Sequence, residues 1–372
     1  MNIGVNCRIL NASRMEGISR YIHETTKRMV LSHPEDQFFF FFDRPYDEQF
    51  IFADNVTPVV IGPQARHPIL WYLWFEHSIP AALKKHNVDV FYSGDTYLSL
   101  KTKVPTLLVC HDVAYMHYPD HIRWSHLKYY RHYFPQFHEA ADHIVAVSEY
   151  TRQDIISKYK LAPEKVTVGY NATPPGFNPL SDAEKQVQRD TYASGKPYFI
   201  FVGSLHPRKN LVRLVKAFDH FKTQTNSDFK LVLIGRFAWK NKELKATFES
   251  LKHAADIIMT GTIHKGIQPI IAGSDGLYYV SLFEGFGIPI LEGFSSGVPV
   301  VTSNISSMPE VAGDCAIMVD PTDEKAIANT MVELATVPYC SQKLHAAQER
   351  ATTFTWQLTA DHIYTHLRRI CK

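Results

Sequence analysis

No stretch of this sequence is long and apolar enough to cross a bilayer. The apolar run 69–83 is broken by Glu76 and His77, and nothing reaches the roughly 18 consecutive apolar residues a spanning helix needs. Any membrane contact is therefore expected to be peripheral. Cysteines are few: Cys7, Cys110, Cys315, Cys340 and Cys371 are odd in number and scattered, which excludes a disulfide framework or a CxxC knuckle and fits a reducing compartment. The start, MNIGVNCRIL, lacks the basic end, apolar core and cleavage site of a signal peptide, so a cytoplasmic location is expected. Charge imbalance is lacking too. A formal net charge of +2 with 19 histidines argues against a nucleic-acid partner held by counterion release. No G-x-G-x-x-G follows an early strand, which removes the dinucleotide fingerprint of an oxidoreductase.

Ordinary globular material is present in quantity. Hydrophobic residues at 45% and charged residues at 20% rule out disorder. A length of 372 residues exceeds one ordinary core, so two domains with a cleft are expected. Runs at 3–9, 38–42, 88–92, 106–110, 144–147 and 166–168 read as strands, alternating with amphipathic stretches at 18–31, 71–85, 125–141 and 149–159. Continuous apolar strands in such an alternation imply a parallel sheet covered by helices. A Pro-, Gly- and polar-rich stretch at 171–197 reads as a link. A second alternation follows, with strands at 198–202, 230–234, 257–259, 277–280, 298–302 and 316–319 and helices at 211–222, 241–252, 288–296 and 325–336. The expected fold class is α/β, with two doubly wound Rossmann-like domains at 1–178 and 197–354 and ligand sites at the C-terminal ends of their strands. Helical patterns at 341–350 and 355–371 close the chain, and the last helix, 355–372, can cross back to the first domain.

The segment Phe283-Glu284-Gly285-Phe286-Gly287-Ile288-Pro289-Ile290-Leu291-Glu292 follows one of these strands and enters a helix ended by Gly297. Gly285 and Gly287 let the backbone turn tightly and approach a ligand, and Pro289 suits a first helical turn. Free amides at such a helix start favour an anion, and a nucleotide diphosphate would suit. At about 1.5 Å per residue, the backbones of Glu284 and Glu292 are on the order of 12 Å apart. Because a carboxylate accepts hydrogen bonds from two vicinal hydroxyls, one glutamate can meet a sugar and the other a ribose. The bland alternative is that Glu284 caps the helix and Glu292 solvates it.

This string resembles the retaining GT-B glycosyltransferases of the large family four, which carry E-x7-E in this setting. The similarity extends over most of the second domain, through Phe201-Val202-Gly203-Ser204-Leu205, Arg208-Lys209-Asn210-Leu211 and Gly297-Val298-Pro299-Val300-Val301. The resemblance implies a GT-B fold whose two domains face a central cleft. It implies that Glu284 faces the donor sugar and Glu292 the ribose, with donor contacts from Gly203, Gly285, Phe286, Gly287 and Ile288. It further implies retention by front-face substitution, the nucleoside diphosphate leaving on the face from which the acceptor hydroxyl arrives.

Arg208 and Lys209 stand beyond the strand 198–202 near a helix start, where two cations can neutralise charge on a departing diphosphate. The alternative is a solvated helix entrance. No Asp-x-Asp triplet, the usual handle for a divalent ion on donor phosphates, occurs in the chain, so transfer without metal or cofactor is expected. His111 closes the strand 106–110, where a histidine of the resembling family lines the donor-sugar pocket; Asp112 is a second candidate. Gly17-Ile18-Ser19-Arg20-Tyr21 resembles the family's first glycine loop, although Glu16 stands where a second small residue is common. Gly17 and Arg20 are its candidates. Ser148 reads as a helix cap. The loops Gly235-Arg236-Phe237 and Gly261-Thr262-Ile263 are either nucleobase contacts or plain turns.

Regions 66–77 and 123–133 mix bulky aromatics with cations, a composition suited to a lipid headgroup interface or to stacking on sugars. An interior helix packed by its aromatics is the preferred reading. The partners expected are a nucleotide-sugar donor and a saccharide or lipid-linked acceptor bound by the first domain, with peripheral contact at the inner membrane face. The first-domain pattern resembles bacterial mannosyltransferases that build surface polysaccharide from GDP-mannose. A UDP-sugar donor and a nucleotide-sugar epimerase are the alternatives.

Overall fold

The structure, a computed structural model, describes residues 1–12, 15–236, 242–263 and 265–371, without the side chain of residue 242. The chain forms two compact units, one of Met1–Asn171 with Thr355–Lys372 and one of Ala172–Phe354. The first holds β1 (Asn2–Asn6), β2 (Gln37–Phe42), β3 (Val56–Val60), β4 (Val90–Ser93), β5 (Thr106–Cys110), β6 (His143–Ala146) and β7 (Val166–Val168). They pair in the order β3-β2-β1-β4-β5-β6-β7, every pair parallel. Helices cover both faces of such a sheet, so its strands are buried throughout, as β4, β5 and β6 are at every residue.

The sequence pattern missed β3, because Pro58 cannot donate to a ladder and interrupts a strand signal. At the sheet's edge β3 pairs on one side only, which tolerates proline. The single helix expected at 71–85 is three pieces: Pro68–Leu73, a π turn at Trp74–Ser78, and Ile79–Lys85. Pro80 has no amide for the carbonyl four residues back, and the Ile79 amide bonds that of Trp74, five residues back.

The second unit holds β8 (Tyr198–Val202), β9 (Lys230–Ile234), β10 (Ile257–Gly261), β11 (Gly276–Tyr279), β12 (Val300–Ser303) and β13 (Ile317–Val319), in the parallel order β10-β9-β8-β11-β12-β13. The boundary differs from the one expected. Residues 171–197 are not a link but carry a helix, Asp182–Ala193, which opens with a reciprocal cap between Ser181 and Glu184. Only Ala193 of that helix is buried, so its apolar periodicity is weak, whereas the Ser-x-x-Glu start was readable. The terminal helix, Trp356–Ile370, belongs to the first unit. Its buried residues Thr359, Ile363, Tyr364 and Leu367 follow helical spacing. Thr359 donates to the Tyr170 carbonyl at 2.6 Å and the Tyr364 hydroxyl to Asp36 at 2.6 Å.

In both sheets the central neighbours, β1 with β4 and β8 with β11, send their chains to opposite sides. This is the topological switch point at which open α/β sheets bind ligands. In the second unit the loops after β8 and β9 touch there, the Gly203 amide donating to the Ile234 carbonyl at 2.9 Å. Gly235 has φ +155°, and a β-carbon on it would lie 1.7 Å from the Gly203 carbonyl oxygen. Replacing Gly235 by Ala is expected to cost more than about 2 kcal/mol. Urea unfolding measures this, and a loss under about 0.5 kcal/mol would contradict the close approach.

Candidate functional site

Two loops build the site at the second switch point. The first leaves β8 at Gly203 and makes a short turn, Pro207–Lys209, in which the His206 ring accepts from the Arg208 amide. Asn210 then takes a left-handed conformation, φ 61°. Its side-chain amide donates to the Val280 carbonyl at 3.0 Å and the Pro321 carbonyl at 2.6 Å, and the Leu282 amide donates to the Arg208 carbonyl at 2.8 Å. These bonds fasten the β8 loop to the loop that leaves β11 and, through Pro321, to the chain beyond β13.

That second loop carries Glu284, which is buried. Lys209 Nζ lies 2.7 Å from Glu284 Oε1 and Arg208 Nη1 3.3 Å from Oε2. Arg208 also donates to the Phe283 carbonyl at 2.8 Å, and Lys209 to the Tyr279 hydroxyl at 2.6 Å, with its ammonium 4.7 Å from the centre of that ring. Burial alone would raise the Glu284 carboxyl, but Lys209 and Arg208 outweigh it and hold the group below its ordinary range. Burial pushes the Tyr279 hydroxyl well up, and the charges of Glu284 and Glu292 add to this. Tyr279 thus stays neutral beside an ionised Glu284 and two cations.

Glu284 does not cap the following helix. The cap position of Ile288–Ser295 is Gly287, at φ 109° and with no side-chain bond, and Pro289 sits in the first turn. Gly285, Phe286 and Gly287 are buried, and Ile288 and Glu292 half-buried. The Phe286 ring turns inward, edge-on to Phe354 at 5.7 Å. A β-carbon on Gly203 would lie 3.8 Å from Lys209 Cε, so Gly203 borders the same cluster.

His111 and Gly17 belong to the first unit. His111 Nε2 lies 2.7 Å from the Gly94 carbonyl, an acceptor, so Nε2 carries the proton. Burial lowers the ring's basicity more than this bond and the Asp112 charge raise it, so the ring is neutral with its lone pair on Nδ1. The buried Tyr21 ring stands edge-on to His111 at 5.2 Å. Tyr21 lies on the helix Gly17–Ser32, four residues beyond Gly17, while Arg20 is half-buried in that first turn. Asp112 accepts from the Ala114 amide at 2.9 Å, and Ser148 from the Thr151 amide at 3.0 Å, the cap expected. Gly235 and Gly261 both have positive φ, as turns require; Phe237 lies outside the described residues. Among the described residues no three His, Cys, Asp or Glu side chains are grouped to hold a metal ion.

The profile of Glycosyl transferases group 1 matches residues 182–353, and that of Glycosyltransferase Family 4 matches residues 15–176. The chain is 26% identical over 364 residues to the O-antigen chain mannosyltransferase B of Escherichia coli, spanning 92% of this chain and 95% of that one. It is 24% identical to the O-antigen chain mannosyltransferase RfbU of Salmonella typhimurium, over 79% of each chain. In fold it matches the sucrose-phosphate synthase of Thermosynechococcus elongatus with a TM-score of 0.78 at 15% identity, over 99% of this chain and 98% of that one. It matches WaaG, a glycosyltransferase involved in lipopolysaccharide biosynthesis, with a TM-score of 0.75 at 15% identity, over 97% and 98%. The chain belongs to the family 4, group 1 glycosyltransferases.

Tyr279 and the staple formed by Asn210 escaped the reading of the transferase's sequence. Asn210 is part of the Arg208-Lys209-Asn210-Leu211 string, but its bonds join chain segments 70 and 111 residues apart. The Glu284 pair makes a pH prediction. A carboxyl depressed by folding contributes stability that is complete above the unfolded value, about 4.3, and is lost as pH falls through the lower folded value. Thermal unfolding from pH 7 to pH 2 is expected to show a steeper acid loss for the wild type than for Glu284→Gln. Parallel curves would contradict the ion pair.

Proposed function

We propose that the transferase moves mannose from GDP-mannose to a saccharide or lipid-linked saccharide during synthesis of a bacterial surface polysaccharide such as O-antigen, with retention and without metal. The observation that carries this reading is the ionised Glu284 held by Lys209 and Arg208 at a sheet switch point, beside the helix start at Gly287. The names of the relatives, O-antigen mannosyltransferases, support the donor sugar and the pathway class.

In this reaction the bond from the anomeric carbon to the β-phosphate oxygen breaks, and a bond to the acceptor oxygen forms on the same face. The acceptor's proton passes to the departing phosphate oxygen. Arg208, Lys209 and the amides at the helix start offset the charge that grows on the diphosphate, the task a metal ion performs elsewhere. Glu284 accepts from hydroxyls of the sugar and Glu292 from those of the ribose. His111 accepts from a sugar hydroxyl at Nδ1, the nitrogen left with a lone pair.

The acceptor side agrees with a carrier at a membrane surface. No helix among the described residues is long and apolar enough to cross a membrane. The helix Trp124–Ala140 buries Tyr129, Phe134 and Phe137, but Trp124 is 70% exposed with Lys128 Nζ 4.4 Å from its ring centre, and Ile69 is 68% exposed. Apolar side chains among cations suit peripheral contact with anionic lipid at the inner face of the cytoplasmic membrane.

Arg208→Ala is expected to lower the transfer rate on the order of 100-fold or more, while activity persists in excess chelator. Transfer of radiolabelled mannose measures both. A folded Arg208→Ala protein with near-normal turnover would refute the clamp, and complete loss on chelation would refute transfer without metal.

A further inference from the structure

Beyond β12 the chain makes a tight turn through Ser306 and Ser307 before the helix Met308–Ala312. Ser306 has φ 62°, the left-handed conformation that a β-carbon resists and glycine takes freely. A serine there needs a reason, and its hydroxyl supplies one. Ser306 Oγ accepts from the Glu284 amide at 3.0 Å and donates to the Glu284 carbonyl at 2.6 Å, closing on the main chain of a single residue. The buried Ser307 hydroxyl lies 2.9 Å from the same carbonyl and 2.8 Å from that of Phe286. With one hydroxyl hydrogen, Ser307 donates to one of these two carbonyls at a time, whereas Ser306 is committed to Glu284 alone.

We propose that Ser306, seconded by Ser307, is a positioning residue that fixes the Glu284 loop for transfer; this rests on the donor role assigned to Glu284 above. Two neighbours of β11 divide the task. The loop after β8 grips the Glu284 carboxylate through Lys209 and Arg208, and the turn after β12 grips its main chain through the Ser306 hydroxyl, with the Ser307 hydroxyl shared between that carbonyl and the Phe286 carbonyl. The grip on the main chain matters because the next residues include Gly285 and Gly287, which restrict the backbone little. A reacting geometry displaced by about 1 Å can cost 100-fold in rate. The cations fix the tip of the side chain and Arg208 the main chain just before it, while the Ser306 hydroxyl fixes the amide and carbonyl of Glu284 itself.

A serine kept only for stability and one kept for positioning differ in what glycine does at the site. Ser306→Gly removes the clamp but also relieves the left-handed strain, so the melting temperature is expected within about 2 °C of the wild type or above it. Release of GDP from GDP-mannose, the mannosyl group passing to water, is expected to fall at least about tenfold in kcat, with KM for GDP-mannose changed less than about threefold. Ser306→Ala, which loses the hydroxyl and keeps the strain, is expected to show the same kcat loss together with a lower melting temperature. A Ser306→Gly protein with kcat within twofold of the wild type overturns the proposal, as does one whose melting temperature falls by more than about 5 °C. Glu284→Gln run alongside separates this from failure of the donor reading. Full turnover in Glu284→Gln, or a wild type that does not bind GDP-mannose, refutes the donor reading itself. An inactive Glu284→Gln beside a fully active Ser306→Gly refutes only the positioning.

Discussion

A carboxylate buried as deeply as Glu284 stays ionised only if fixed cations face it, and Lys209 at 2.7 Å and Arg208 at 3.3 Å meet that condition. Much of the second unit's switch point serves this contact. Asn210, in a left-handed conformation, turns the β8 loop and bonds it to the Val280 carbonyl, which brings the cations to the glutamate. Tyr279 lies under Lys209 as a neutral acceptor, so the ammonium bonds both a charged and an uncharged oxygen. Two cations are held in this way beside the entrance of a helix, a setting that favours an anion.

The first unit uses a different device. His111 is kept neutral by burial and oriented by the Gly94 carbonyl, so its free nitrogen accepts hydrogen bonds and carries no charge. Tyr21 joins this histidine to the rest of the unit. Its ring meets His111 and Trp356 edge-on, and its hydroxyl donates to the Gly169 carbonyl at 3.0 Å. The terminal helix that begins at Trp356 is therefore part of the support beneath His111 and no mere tail. Thr359 and Tyr364 anchor the same helix further along.

The parts of this architecture legible in the sequence were those set by local chemistry. Buried parallel strands such as β5 and β8 read as continuous apolar runs, and both were placed at their observed limits. The Glu284-to-Glu292 spacing and the Gly287-Pro289 helix entry are likewise local, so this segment stands out in the sequence by itself. Pairings across distance were not legible. No local pattern marks Ser306 and Ser307, and only the fold brings their hydroxyls to a carbonyl 22 and 23 residues away. The role of Glu284 was open between capping and binding because that choice depends on Lys209, 75 residues earlier. The helix Asp182–Ala193 was missed for the opposite reason, since it is solvated along most of its length and leaves little apolar pattern to find.

The central claim is that Glu284, held by two cations, binds the sugar end of a nucleotide-sugar donor without metal. Titration calorimetry of GDP-mannose and of GDP, both in chelator, into the wild type and into Glu284→Gln tests it most directly. The account predicts that the variant binds GDP nearly as the wild type does but loses at least about tenfold in affinity for GDP-mannose, a difference of about 1.4 kcal/mol. Equal affinities of the two proteins for GDP-mannose, or binding that appears only when a divalent ion is restored, would contradict it.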